Sequence, residues 1–169
     1  MNADDTTADV GDGFERSRAK LELLIGWLDG PDSTGMDHGA LEEQVRTQGR
    51  GLLCLLLQDH FDLRTVREAR LDGVINADGV AHRRVERDHP RRLSTLVGEV
   101  CVKRLAYRHP DHHNLYPADM ELNLPSQLYS HGLERLAAIE ASRGSYTETS
   151  LAIQRATGTR IAKRQLETL

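Results

Sequence analysis

A chain of 169 residues has room for one ordinary domain or two small ones. With 38% hydrophobic residues, only 4% aromatics and 28% charged residues of both signs, it is expected to fold around a modest core of Leu, Val, Ile and Ala. No apolar run approaches the roughly 18 residues of a membrane span, and the acidic first residues lack the apolar core of a signal peptide.

The net charge of -4 hides an asymmetry. Residues 1–13 carry Asp4, Asp5, Asp9 and Asp12 and no base, and read as a disordered acidic tail. Residues 81–110 hold eight bases against three acids, and residues 143–169 hold five bases against two acids. Local positive fields matter more to a polyanion than the global sum does, although charge runs are commonly just solvated faces. Cys54 and Cys101 are far apart and form no C-x-x-C pair, so small buried thiols and a reducing, cytoplasmic setting are expected.

In chain order, Leu21, Leu24, Ile25 and Leu28 recur at helical spacing and predict an amphipathic helix over 14–29. The Gly- and Pro-bearing stretch 30–35 breaks it. A second helix is expected from 40 to about 60, with Leu41, Val45, Leu52, Leu53, Leu56 and Leu57 inward. Gly49 and Gly51 weaken its middle by about 1 kcal/mol each relative to Ala, enough to admit a kink. Residues 62–69 either continue this helix or form a short separate one.

The period changes after Leu71. Val74 and Ile75 precede Asn76-Ala77-Asp78-Gly79, a turn-forming cluster, with 80–86 as the returning strand. That turn resembles part of a calcium loop but fails at two ligand positions, occupied by Val74 and Val85. Residues 92–97 and 99–107 read as two longer strands with Gly98 near their turn. Val100, Val102 and Arg104 would share one face, and Cys101, Lys103 and Leu105 the other, in a small sheet at least half exposed. Residues 109–124 read as a loop. His109, His112 and His113 with Asp111 invite a metal reading, but no second ligand cluster is near in sequence, so a polar loop is preferred.

A third helix is expected over 126–141, ended by Gly144. Ser145 and Glu148 form a capping box. A helix over 146–157 follows, closed by Gly158, and a last helix runs from Arg160 to Leu169. Two short helices joined by a tight Gly-containing turn match a helix-turn-helix. Ile161, Leu166 and Leu169 would face inward, and Lys163, Arg164, Gln165 and Thr168 outward. Arg and Gln suit bidentate contacts with base edges, and Lys suits phosphate. The match is imperfect, since Gln154 stands where a small residue is usual. The plain alternative is a helical hairpin with a basic exposed face. No Gly-rich phosphate loop, G-x-S-x-G or distinctive pair of carboxylates marks a catalytic centre.

Five stretches carry a family resemblance. Residues 21–53, INADGVAHRRVE (75–86), LSTLVGEVCVKRLAYR (93–108), NLYPADMELNLP (114–125) and SHGLERLAAIEASRGSYTETSLAIQRATGTRIAKRQLE (130–167) resemble, in order and spacing, the N-terminal third of ISKra-type insertion-sequence transposases from actinobacteria. The resemblance covers roughly residues 20–169. It implies a region with a small sheet and a helix-turn-helix that binds the element's terminal inverted repeats. It further implies a DDE ribonuclease-H-like domain, with two divalent metals, beyond this sequence.

The expected organisation is α+β: an acidic tail (1–13), a helical region (14–70), a small antiparallel sheet with a Pro-containing loop (71–125), and a helix plus helix-turn-helix (126–169) that ends within its last helix. The expected function is that of a truncated transposase, with double-stranded DNA as partner, a homodimer as an option, no membrane, no catalytic residue and no cofactor of its own. Lys163, Arg164 and Gln165 are the expected base-reading contacts, Arg160 and Arg143 the phosphate contacts, and Arg91, Arg92, Lys103 and Arg104 a second contact. The competing expectations are a stand-alone regulator, a helical interaction or oligomerisation module, and a non-functional remnant.

Overall fold

The computed structural model describes residues 13–166. The acidic residues 1–12 and the end of the last predicted helix, including Thr168 and Leu169, lie outside that range. The fold is α+β, with N-terminal helices, two small antiparallel sheets and C-terminal helices.

Helix α1 spans Glu15–Leu28 and is followed by one turn of helix, α2, at Pro31–Thr34, where Pro31 occupies a first-turn position that needs no N–H donor. Helix α3 runs unbroken through His38–Arg67, started by Asp37, whose carboxylate accepts from the Ala40 N–H at 3.0 Å. Residues 62–67 therefore continue the second helix. At 1.5 Å per residue this element is about 45 Å long, and it is the scaffold on which the rest is assembled.

The α1–α3 pair is held by a polar latch. The Asp59 carboxylate, closed to solvent, accepts from the Ser17 backbone N–H (3.1 Å), the Ser17 hydroxyl and Arg16 Nε (2.8 Å). Arg16 also reaches Asp62. The leucines predicted to face inward lie only partly covered: Leu21, Ile25, Leu28, Val45, Leu53 and Leu56 all remain exposed. Two helices bury one seam, and nothing described lies over the other side of it.

Strands β1 (Val74–Ile75) and β2 (Ala81–His82) pair across the Asn76 turn, in which the Asn76 side-chain oxygen accepts from the Asp78 and Val80 N–H groups. The larger sheet has the order β3-β4-β5, with β3 at Arg84–Thr95, β4 at Gly98–His109 and β5 at His112–Leu115. β3 and β4 form a hairpin turning at Leu96-Val97. Gly98 has φ 141°, and a Cβ there would lie 2.7 Å from Cys54 Sγ, so glycine is required where α3 crosses the turn. The sheet is more covered than expected. Val100, Val102, Arg104 and Ala106 are buried on one face, and Leu105 and Tyr107 are buried as well. Residues 109–124 are not a loop throughout. They contain β5 and the short helix α4, Pro117–Glu121.

The edge of β4 that β3 leaves free is covered by one stripe of α3. Gln58 Nε2 donates to the Cys101 carbonyl (2.9 Å) and Gln58 Oε1 accepts from the Cys101 N–H (2.8 Å). Thr65 Oγ1 donates to the Lys103 carbonyl (2.7 Å), Glu68 accepts from the Leu105 N–H (2.8 Å), and the Cys54 thiol donates to the Glu99 carbonyl (3.5 Å). Positions 54, 58, 65 and 68 share one helical face, and their polar groups replace a neighbouring strand at an otherwise open edge. Phe61, from the same region of α3, packs with Leu93, Val100 and Val102 into the first core.

The C-terminal unit consists of α5 (His131–Ala141), α6 (Tyr146–Thr157) and α7 (Lys163–Leu166). The Ser145–Glu148 capping box forms with both reciprocal bonds, and Gly158 ends α6 at φ 74°, in the left-handed region. Tyr129, Leu133, Ala137, Ile153, Ile161 and Leu166 make the second core.

Candidate nucleic-acid interface

Local sequence sets α7 in place. Ile161 is fully buried and Leu166 nearly so, and both pack against Ile153 and Leu133. The Ser150 hydroxyl donates to the Ile161 carbonyl at 2.6 Å, tying the α6–α7 connection to the middle of α6. The residues between these anchors, Ala162 to Gln165, are exposed. A groove of about 440 Å³ runs between α6 and α7, lined by Thr147, Ser150, Gln154, Arg160, Lys163 and Gln165 among others.

Of the residues predicted to read bases, Lys163 and Arg164 are exposed on α7. Gln165 is also exposed, but its side-chain oxygen is engaged inside the protein. It accepts from the Tyr129 hydroxyl (2.5 Å) and from the Ala162 N–H (3.3 Å). Burial raises the Tyr129 phenol above its ordinary value, which keeps it a donor. Gln165 thus braces the start of α7 on the segment before α5. Arg160 is exposed at the groove. Arg143, at the far end of α5, pairs with Glu140 at 3.0 Å.

The second predicted contact is divided by the structure. Arg91 and Arg104 converge on one carboxylate, that of Asp119 at the start of α4. Arg91 Nη1 lies 3.0 Å from Asp119 Oδ2, and Arg104 Nε lies 2.5 Å from Asp119 Oδ1. Arg91 also donates to the Pro125 carbonyl and, at 2.8 Å, to the Gln127 carbonyl. Arg104, 6% exposed at its side chain, donates to the His89 carbonyl (3.1 Å) and stacks 4.0 Å from the centre of the Tyr116 ring. These two arginines clamp α4 and the segment after it onto the sheet, and neither is available to a polyanion. Lys103 and Arg92 are exposed, with Arg92 3.8 Å from Glu99. Sequence separation hid the clamp, because Asp119 is 28 residues from Arg91.

Two further arginines escaped sequence reading. Arg46 and Arg50, one turn apart on α3, donate to the Arg155 and Ala156 carbonyls at the C-terminal end of α6, at 3.2–3.4 Å. Cations there satisfy orphan carbonyls and complement the helix dipole. At the other end of the unit, the Ser94 N–H donates to the Leu128 carbonyl (2.8 Å), and the Ser130 N–H to the Ser94 carbonyl (2.9 Å). The C-terminal helices are therefore fixed to both α3 and the end of β3.

The predicted polar loop at 109–113 is the tight connection of β4 to β5, and it meets a histidine from a distant strand. The rings of His82, His109 and His112 lie 5.0–5.8 Å apart, centre to centre. His82 is fully buried. Its Nδ1 faces the Tyr107 carbonyl at 3.2 Å and so carries the proton, while its Nε2 has no hydrogen-bond partner among the described residues. Among the described residues, no group of three or more His, Cys, Asp or Glu side chains is disposed to hold a metal ion. No helix of the described residues is long and apolar enough to cross a membrane. No family model matches the chain, and no curated protein or solved structure matches it either.

Proposed function

We propose that the chain is a duplex-DNA-binding module of the insertion-sequence transposase type, which holds the terminal inverted repeats of its element through α6 and α7. The observation that carries this reading is the second core. Ile153, Ile161 and Leu166 fix two short helices against α5, while Arg160, Lys163 and Arg164 stay exposed beside the groove between α6 and α7. In this reading Lys163 and Arg164 approach base edges and phosphate, Arg160 contacts the backbone, and Gln165 positions α7 rather than reading a base. The family resemblance of residues 130–167 supports the same assignment and supplies the kind of target.

The test is binding of the purified chain to labelled terminal repeats of the nearest element, against scrambled DNA, across a salt series. Repeat-specific binding that weakens steeply with salt, and that is lost in a Lys163→Ala/Arg164→Ala variant with unchanged thermal unfolding, is the expected result. Equal binding to repeats and scrambled DNA, or none, overturns it.

The exposed leucines of the α1–α3 pair favour a second reading, an oligomerisation module. Leu23 is 71% and Leu53 54% exposed, and apolar side chains left uncovered on a helix pair offer a surface that a second copy would bury. Stable dimers in sedimentation with no DNA affinity would select that reading over the first.

A further inference from the structure

We infer that the open end of the β3–β4 hairpin is a second phosphate-backbone contact, seating the same duplex about one helical turn away from α7; this rests on the DNA-binding reading above. In the antiparallel register Arg84 lies directly opposite Arg108. Like charges facing each other across a ladder are destabilising, so the pairing calls for a neutralising partner. Arg108 has one in Glu86, at 2.9 Å. Among the described residues Arg84 has none, nor do Arg83 and Arg87. Arg83, Arg84 and Arg87 are all exposed, and among the described residues no carboxylate lies within ion-pairing distance of them. The register slips between Glu86 and His89, so Arg87 and Asp88 stand outside the ladder, and Asp88 has φ 55°. Irregularities of this kind turn a strand edge away from regular pairing.

The contrast along the hairpin is what selects this end. Arg91 and Arg104 are held by Asp119, and Arg92 by Glu99. Apart from Lys103, opposite Pro90, the bases of the hairpin that have no carboxylate partner among the described residues are therefore concentrated at the end remote from the Leu96-Val97 turn. The C-terminal helices are fixed at the opposite end of β3, where Ser94 pairs with the chain around Tyr129 and the Thr159 hydroxyl donates to the Thr95 carbonyl. At about 3.3 Å per residue, Arg84 and Thr95 stand roughly 35 Å apart. One turn of B-form DNA is about 34–36 Å. Arginines that far from the attachment point of the C-terminal helices would reach the backbone about one turn from where α7 sits, without reading sequence.

The experiment uses the full chain, a long repeat-bearing duplex and one shortened by a helical turn on the flank beyond α7's half-site. The Arg83→Ala/Arg84→Ala/Arg87→Ala variant is expected to flatten the slope of log K against log salt by about 0.9 for each phosphate it no longer neutralises. Its preference for repeats over scrambled DNA should be unchanged. Shortening the duplex should flatten the wild-type slope to the same value and leave that variant's slope as it was. The corresponding triple Lys variant should keep the wild-type slope, which separates charge from any effect on folding. A wild-type slope in the Ala variant, while Lys163→Ala/Arg164→Ala still abolishes binding, overturns the second contact and leaves the α6–α7 reading standing. No binding of the wild-type chain to either duplex overturns both.

Discussion

Replacing Asp119 by Ala removes the carboxylate that Arg91 and Arg104 share. The three side chains are 18%, 15% and 6% exposed, so water replaces the missing partner poorly. Breaking a buried pair by deleting one member costs about 3–5 kcal/mol, because an uncompensated charge remains. Here the lower end is expected. Arg91 keeps the Pro125 and Gln127 carbonyls, and Arg104 keeps the His89 carbonyl and the Tyr116 ring. A loss of about 3 kcal/mol is a large part of the roughly 5–15 kcal/mol that holds an ordinary domain. With a urea slope near about 2 kcal/mol/M, the unfolding midpoint should fall by about 1.5 M. The Arg104→Met/Asp119→Leu pair should lose less than the sum of its single changes, since no lone charge is left between those two positions. A midpoint shift of Asp119→Ala below about 0.5 M would be the value of an exposed pair. It would refute the clamp and make Arg91 and Arg104 candidate DNA contacts again.

Two other predictions concern α3. Burial pushes the Asp59 carboxyl up, but the hydrogen bonds from Ser17 and Arg16 outweigh it and hold the group below the ordinary carboxylate range. Its contribution is therefore complete above the unfolded value of about 3.9 and is lost as pH falls through the lower folded value. The melting temperature of the wild-type chain should drop in that acid window, and Asp59→Asn should be less stable at about pH 7 yet flatter below about pH 4. Parallel profiles for the two proteins would refute the latch. Gln58→Leu removes both bonds to Cys101 and should cost about 1–3 kcal/mol. It also opens the β4 edge, so concentration-dependent association should appear in size-exclusion chromatography. An unchanged elution volume at all concentrations would mean that neighbouring side chains suffice to guard that edge.

The elements legible in the sequence are those specified locally. Helix α6 is announced by Ser145 and Glu148 at one end and Gly158 at the other, and each of them acts on backbone within four residues of itself. The Asn76 turn is similar. Helix α3 is legible as a helix but not as an edge cover. Gln58, Thr65 and Glu68 look like a solvated polar stripe until β4 is known to lie beside them. β5 is hidden because four residues containing two histidines carry no alternation to detect, and its pairing to β4 is what makes it a strand. The basic hairpin shows the same limit in the candidate site. Eight bases within 81–110 announce a positive field, but which of them are paired with a carboxylate is decided by Asp119, Glu99 and Glu86. Asp119 and Glu86 are both distant in sequence from the arginines they hold.

These contacts give α3 a role beyond packing. One end of the same helix caps α6 through Arg46 and Arg50, its middle covers the turn end of β4 through Cys54 and Gln58, and its last turns guard Lys103 and Leu105. The C-terminal helices are thus joined to the sheet twice, once through α3 and once through Ser94 and Thr95. A flexible tether would make two DNA contacts independent and set their cooperation by linker length. A rigid double attachment instead fixes the distance between α7 and the Arg84 end of the hairpin. Under the proposed function, affinity should then depend on where the flanking phosphates lie along the helical turn.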